Sequence, residues 1–83
     1  MKVTIELSVF PLDKNYSPVI HSFIDRLNTY PTLRLQVQPF STLLIGELDE
    51  IMQILTTELT KIFESVRTIV SQIKIINQDL SEQ

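Results

Sequence analysis

The side chains best suited to chemistry in this chain are a carboxylate and a hydroxyl two positions apart, Glu6 and Ser8. They lie in a segment, Lys2 to Phe10, that alternates apolar and polar residues as a half-buried strand does, so both point to one face. A carboxylate beside a hydroxyl can hold an amine or a nitrogen heterocycle through hydrogen bonds. The alternative is that Glu6 forms a cross-strand ion pair with Lys74, a contact that contributes little to stability.

More polar candidates surround a predicted strand that runs from residue 42 to residue 48. Ser41 and Thr42 stand at its start, where their hydroxyls either contact a ligand or satisfy backbone groups of a hairpin. Glu47 stands near its end, just before two further acids. Acidic residues at this point suit the positive end of a helix dipole, and a site for a hard cation is the less favoured alternative.

The composition excludes several kinds of function. The chain has 83 residues, seven basic and ten acidic, with a net charge of −3 and no cysteine. Without cysteine there are no disulfides, thiolate metal sites or cysteine nucleophiles. The acidic balance argues against a nucleic-acid partner. The single histidine, His21, is interpreted as a solvated residue of a helix. We therefore expect neither a catalytic site nor a metal site, and we expect that the protein is not an enzyme.

The length and the hydropathy pattern bound the organisation of the chain. We expect one domain over residues 1–78 and a polar C-terminal tail over residues 79–83. No stretch approaches the ~18 apolar residues of a membrane span, and the N-terminus alternates instead of forming an apolar leader. We therefore expect a cytoplasmic protein without a membrane partner.

Periodicity, prolines and turn residues place the elements that position the candidate residues. The predicted elements are a strand at 2–10, a loop at 12–16, a helix at 17–30, strands at 33–37 and 42–48, a helix at 49–66 and a strand at 69–77. The short connection before residue 42 predicts an antiparallel hairpin. The only glycine, Gly46, lies inside a strand, which indicates a bulge or a close approach by another group.

This order of elements, β-α-β-β-α-β, predicts an α+β fold. It is the ferredoxin-like sandwich, a four-stranded antiparallel sheet in the order 4-1-3-2 with both helices on one face. Alternation then places these residues on the open face: Glu6, Ser8, Phe10, Leu43, Ile45 and Glu47. It places Thr42 on the helix side. Because three of the open-face residues are large and apolar, we expect self-association through the sheet face or its edge.

Several short motifs occur in a fixed order along residues 3 to 75. They are Ser8-Val9-Phe10-Pro11-Leu12, Ser17-Pro18, Pro39-Phe40-Ser41-Thr42, Gly46-Glu47-Leu48-Asp49-Glu50-Ile51-Met52, Phe63-Glu64 and Ile73-Lys74-Ile75. Together they resemble the small thiamine-binding protein family, single ferredoxin-like domains related to thiamine/hydroxymethylpyrimidine-binding proteins. The stretch from Pro39 to Glu50 carries the most specific part of the resemblance.

The resemblance implies a cytoplasmic, non-enzymatic homodimer or homotetramer whose ligand is thiamine or its hydroxymethylpyrimidine moiety, with no other cofactor. The residues that it carries over are Glu6, Ser8, Ser41, Thr42 and Glu47. These groups can satisfy an aminopyrimidine, while Phe10 would supply an apolar or stacking wall. A cationic thiazolium suits an acidic protein. The alternative is a structural or regulatory oligomer, or a protein-partner module, without a small-molecule ligand.

Overall fold

The computed structural model describes residues 1–12 and 16–82. Its elements are β1 (Lys2–Pro11), α1 (Tyr16–Leu27), β2 (Arg34–Val37), β3 (Thr42–Glu47), α2 (Leu48–Ser65), β4 (Ile69–Ile76) and a short 3-10 helix (Leu80–Glu82). These bounds differ from the predicted ones by no more than a few residues. Most of the predicted loop at 12–16, and the last residue of the predicted tail, lie outside the described residues.

The four strands form one antiparallel sheet in the order β2-β3-β1-β4, which confirms the predicted ferredoxin-like topology. β1 is central, and its Glu6 lies between Leu43 of β3 and Lys74 of β4. β2 pairs with β3 and β4 pairs with β1, so these two strands form the edges of the sheet.

Both helices cover the same face of the sheet. Alternate β1 residues, Val3, Ile5 and Leu7, are almost fully buried, as the alternation predicts. They share one apolar core with residues of both helices, among them Phe23 of α1 and Ile62 of α2. No helix in the described part of the chain combines the length and the apolar character that crossing a membrane requires.

The open face differs from the prediction at one apolar position, Ile45, which is buried and only 5% exposed. Its cross-strand neighbour Thr4 is also buried, because the C-terminal segment (residues 78–82) lies over it. The Thr4 hydroxyl donates to the carbonyl oxygen of Gln78 at 2.8 Å and accepts the N–H of Leu80 at 3.0 Å. Part of the open face is therefore covered by the chain itself, and burial of Ile45 requires no partner.

Phe63 of α2 is large and apolar, and yet it is 47% exposed. Successive helix residues lie about 100° apart around the axis, since an α-helix has 3.6 residues per turn. The core takes Ile62, and this turns Phe63 toward the edge of the helix layer.

Gly46 marks a close approach and not a bulge. The register between β1 and β3 runs without interruption from Lys2 opposite Glu47 to Leu7 opposite Thr42. A methyl group on Gly46 would lie 3.2 Å from the carbonyl oxygen of Thr32 and 3.6 Å from the Ile51 side chain. The chain leading into β2 therefore passes close enough to disfavour any side chain at this position.

Candidate functional site

The predicted carboxylate and two of the predicted hydroxyls come together on the open face of the sheet. The Ser41 hydroxyl donates to Glu6 Oε2 at 3.3 Å, and the Ser8 hydroxyl donates to the carbonyl oxygen of Phe40 at 3.2 Å. Glu6 is half-buried in a central strand, where the strands on either side fix its position. We call Glu6, Ser8, Ser41 and the neighbouring Gln72 and Lys74 the open-face site.

β4 supplies the second wall of this site. Its register places Lys74 opposite Glu6 and Gln72 opposite Ser8, and the residues around them line a groove of about 500 Å³. Lys74 Nζ lies 3.5 Å from Glu6 Oε1, with the two side chains 72% and 35% exposed. The ion pair considered as an alternative is therefore present. An exposed pair of this kind contributes under about 1 kcal/mol, so it does not commit Glu6 to Lys74.

Ser41 is held in place by the turn between β2 and β3. The Gln38 N–H donates to the Ser41 carbonyl oxygen at 2.8 Å, which closes the turn. The Ser41 hydroxyl also lies 3.0 Å from Gln38 Oε1. A serine hydroxyl has one hydrogen, so it cannot donate to Glu6 and Gln38 at the same time. Its hydrogen bond can be redirected without breaking the turn that holds it.

The other predicted site residues lie away from Glu6. Thr42 is 6% exposed and points to the helix side beside Leu7, as strict alternation predicts. Glu47 lies four residues along β3 from Leu43, the cross-strand neighbour of Glu6. That separation along the strand is about 13 Å. Glu47 Oε2 accepts a 2.7 Å hydrogen bond from the Met1 amino group, which raises the pKa of that amine. Phe10 is 44% exposed near the end of β1.

A second cavity, also of about 500 Å³, lies at one end of the sheet between α1 and the β2–β3 hairpin. We call it the hairpin pocket. Phe10, Ser41 and Thr42 border it, whereas Glu6 and Ser8 line the open-face groove. The predicted site residues are therefore divided between two cavities. Ser41 borders the hairpin pocket and is hydrogen-bonded to Glu6 of the open-face groove.

A third group of polar residues, which surrounds Glu58 of α2, is not among the residues predicted from the sequence. This residue is only 2% exposed. Arg26 Nε donates to Glu58 Oε1 at 2.7 Å, the Tyr30 hydroxyl donates to Oε2 at 2.6 Å, and Lys61 Nζ lies 3.5 Å from Oε2. Burial acts to raise the pKa of Glu58, but the hydrogen bonds from Tyr30 and Arg26 and the charge of Lys61 outweigh it, so the pKa lies below its ordinary value.

A signal for this cluster was present in the sequence. Glu58 follows Ile54 by one turn and precedes Ile62 by one turn, so it interrupts the apolar stripe of α2. A carboxylate on a buried stripe needs charged or hydroxyl partners from another element. Arg26 and Tyr30 are spaced four residues apart, at the end of α1 and just beyond it, and they supply those partners.

Comparison with proteins of known structure supports the same architecture. A Streptococcus pneumoniae protein is 33% identical, with a TM-score of 0.86 over 96% of this chain and 90% of that one. A Thermotoga maritima protein, provisionally assigned to thiamine biosynthesis or salvage, is 24% identical, with a TM-score of 0.84 over 94% of this chain and 85% of that one. A Bacillus cereus domain of unknown function is 25% identical, with a TM-score of 0.75 over 96% of this chain and 79% of that one.

The family comparison extends over nearly the whole chain. No curated protein matches it at a significant level. A family model described as thiamine-binding protein matches residues 5–82, a range that includes every residue of the open-face site. That description names a ligand and no reaction. The chain therefore belongs to the thiamine-binding protein family.

Proposed function

We propose that this protein binds thiamine or its hydroxymethylpyrimidine moiety at the open-face site and catalyses no reaction. In this proposal it acts in the cytoplasm as a carrier, a sensor or a sequestering protein. The observation that carries the proposal is that Glu6 and Ser8 line one groove and Ser41 is hydrogen-bonded to Glu6 beside it, within a chain of this family.

The chemistry of the groove suits an aminopyrimidine. The exocyclic amine of such a ring can donate to the Glu6 carboxylate, and its ring nitrogens can accept from the hydroxyls of Ser8 and Ser41. The present contacts of Glu6 are long, 3.3 Å to Ser41 and 3.5 Å to Lys74, so a ligand can replace them at little cost. Phe10 lies two residues beyond Ser8 on the same strand, where it can pack against a bound ring.

We further propose that the protein works as a homodimer or homotetramer. β4 is an edge strand of eight residues. Its apolar side chains Val70, Ile73 and Ile75 are between 41% and 49% exposed. Pairing with the same strand of a second copy would satisfy the free backbone groups and cover these side chains. The exposed apolar side chains of this edge strand also support the alternative function, an oligomeric or partner-binding module without a small-molecule ligand.

Calorimetry tests the proposed ligand. Thiamine and hydroxymethylpyrimidine are titrated separately into the wild type, Glu6→Gln and the matched control Glu64→Gln, whose glutamate is exposed on α2. We expect Glu6→Gln to weaken binding at least about tenfold, since a hydrogen bond to a charged group contributes roughly 1.5–3 kcal/mol. The control should bind as the wild type does.

Light scattering on the same samples gives the mass of the assembly. No heat with either ligand, from a stable oligomer, would support the alternative function. Unchanged affinity in Glu6→Gln would show that the ligand binds outside the open-face site, whatever the mass of the assembly.

A further inference from the structure

We propose that the C-terminal segment (residues 78–82) is a removable strap that controls self-association through the open face of the sheet. While the strap is in place it covers one end of that face, and when it detaches a second copy of the chain can bind there. This inference goes beyond the proposed function, because it concerns a surface outside the open-face site and an assembly that does not use the edge strand β4.

The surface beneath the strap is one row of paired residues across the sheet. Thr4 of β1 lies between Ile45 of β3 and Ile76 of β4, and Arg34 of β2 lies opposite Ile45. Thr4 is fully buried and Ile45 is 5% exposed, although both helices pack on the other face. Two residues along the same face, the Glu6 side chain is 35% exposed. The strap contacts Thr4 directly, so it supplies the cover at this end.

The Thr4 hydroxyl holds the strap through two hydrogen bonds. It donates to the carbonyl oxygen of Gln78 at 2.8 Å and accepts the N–H of Leu80 at 3.0 Å. Hydrogen bonds between neutral groups each contribute little net stability, because water replaces them when they open. Segments held by few contacts open at a small part of the free energy of global unfolding. We therefore expect the strap to detach while the sheet stays folded.

The charges around the strap favour its closed position. Asp79 accepts hydrogen bonds from the N–H of Ser81 at 2.9 Å and from the Ser81 hydroxyl, which close a turn within the strap. These hydrogen bonds lower the pKa of Asp79, and the charges of Lys2 and Arg34 lower it further. The two cations belong to strands of the sheet, so their attraction to the carboxylate guides the strap to its place.

The strap and a second sheet cannot occupy this end of the face together. Stacked sheets lie about 10 Å apart, and the side chains of the two inner faces fill that space. The strap backbone lies within hydrogen-bond distance of Thr4, in the same space. Displacement of the strap is therefore the step that permits a second copy to stack.

The uncovered row suits the same row of a second copy. A two-fold interface brings a surface against itself, so it needs apolar residues or charges of both signs. Ile45 and Ile76 supply the apolar part, and beside them Lys2 pairs in register with Glu47. Val70, at the other end of the same face, is 45% exposed, and stacking would cover it as well.

Light scattering tests the inference in a variant whose edge strand is blocked. Ile75→Lys places a charge at an exposed position of β4, so any association that remains must use another surface. In this background, removal of residues 78–83 should about double the mass, in a concentration-dependent way. Thr4→Val should raise the mass in the same direction, and Thr57→Val, at an exposed position of α2, should leave it unchanged.

Hydrogen exchange followed by NMR reports on the strap itself. Thr4→Val keeps the size of the side chain and removes both hydrogen bonds to the strap. The Leu80 amide should then exchange at least about tenfold faster, while the amides of β1 and β3 stay protected. Thr57→Val should leave the Leu80 amide as in the wild type.

Two results would overturn the proposal. One is an unchanged mass after removal of residues 78–83, in a protein whose circular dichroism shows that it is folded. The other is Leu80 exchange that does not respond to Thr4→Val. If the shortened chain does not fold, Thr4→Val decides, because faster Leu80 exchange without a rise in mass would show that the strap does not control assembly. On association, chemical-shift changes should appear at Ile45, and changes confined to β4 or the helices would also contradict stacking.

Discussion

Two glutamates of this protein have similar neighbours and very different surroundings. Glu58, between the helices, and Glu6, on the open face, each have a hydroxyl and a cation near the carboxylate. Around Glu58 the nearest donors lie at 2.6 and 2.7 Å and the residue is 2% exposed. Around Glu6 the contacts are 3.3 and 3.5 Å and the side chain is 35% exposed.

The difference shows how burial separates a structural carboxylate from a binding one. A buried carboxylate loses its water, so the chain itself must supply all of its partners at short range. Glu58 meets this requirement through Arg26 and Tyr30, which tie the end of α1 to α2. Glu6 keeps water and has loose partners, and it can therefore exchange them for a ligand.

The largest difference between the two glutamates should appear in stability. Glu58→Ala leaves Arg26 and Tyr30 without their acceptor and should reduce the free energy of unfolding by about 3 kcal/mol. Glu6→Ala should reduce it by less than about 1 kcal/mol, because its ion pair is exposed. Urea denaturation measures both values, with Glu64→Ala as the surface control. Equal losses at the two positions would contradict the comparison.

A smaller change in the free energy of unfolding is expected when the pH is lowered. Because the pKa of Glu58 is lower in the folded protein than its ordinary value of 4.5, its ionised form stabilises the fold. This contribution is complete above about pH 4.5 and is lost as the pH falls through the folded pKa. The free energy of unfolding, measured by urea denaturation from pH 7 to pH 3, should therefore fall less in Glu58→Gln than in the wild type.

Tyr30→Phe offers an intermediate case for the same measurement. It keeps the ring and removes one of the hydrogen bonds that lower the pKa of Glu58. The acid sensitivity of its stability should therefore lie between those of the wild type and Glu58→Gln. If the free energy of unfolding fell equally with pH in the wild type, Glu58→Gln and Tyr30→Phe, the acid sensitivity would not come from Glu58.

The smallest effect concerns the cation beside Glu6. Lys74→Met removes a positive charge that competes for the carboxylate, so thiamine, itself a cation, should bind about two- to threefold tighter. The affinity for the neutral hydroxymethylpyrimidine should change less. Calorimetry measures both, with Lys2→Met as a control outside the groove. Weaker binding in Lys74→Met would instead make Lys74 a donor to the ligand.

The candidate site could be predicted only in part. Alternation along β1 correctly placed Glu6 and Ser8 on one face, and the hairpin brought Ser41 beside them. The motif containing Glu47 gave no distance across the sheet, and the observed register places that residue opposite Lys2. A motif records which residues occur together along the chain, whereas register decides which of them meet.

The order of the elements, the face of each strand and the topology of the sheet could all be predicted from the sequence, because they follow from short-range periodicity, prolines and the handedness of β-α-β connections. The burial of Glu58 and of Ile45, the contact of the C-terminal segment with Thr4 and the pocket beside Phe40 follow only from the tertiary structure. These features depend on contacts between residues far apart in the chain, such as Thr4 with Gln78 and Arg26 with Glu58. Local pattern carries no information about such distances, and packing of the whole chain sets them.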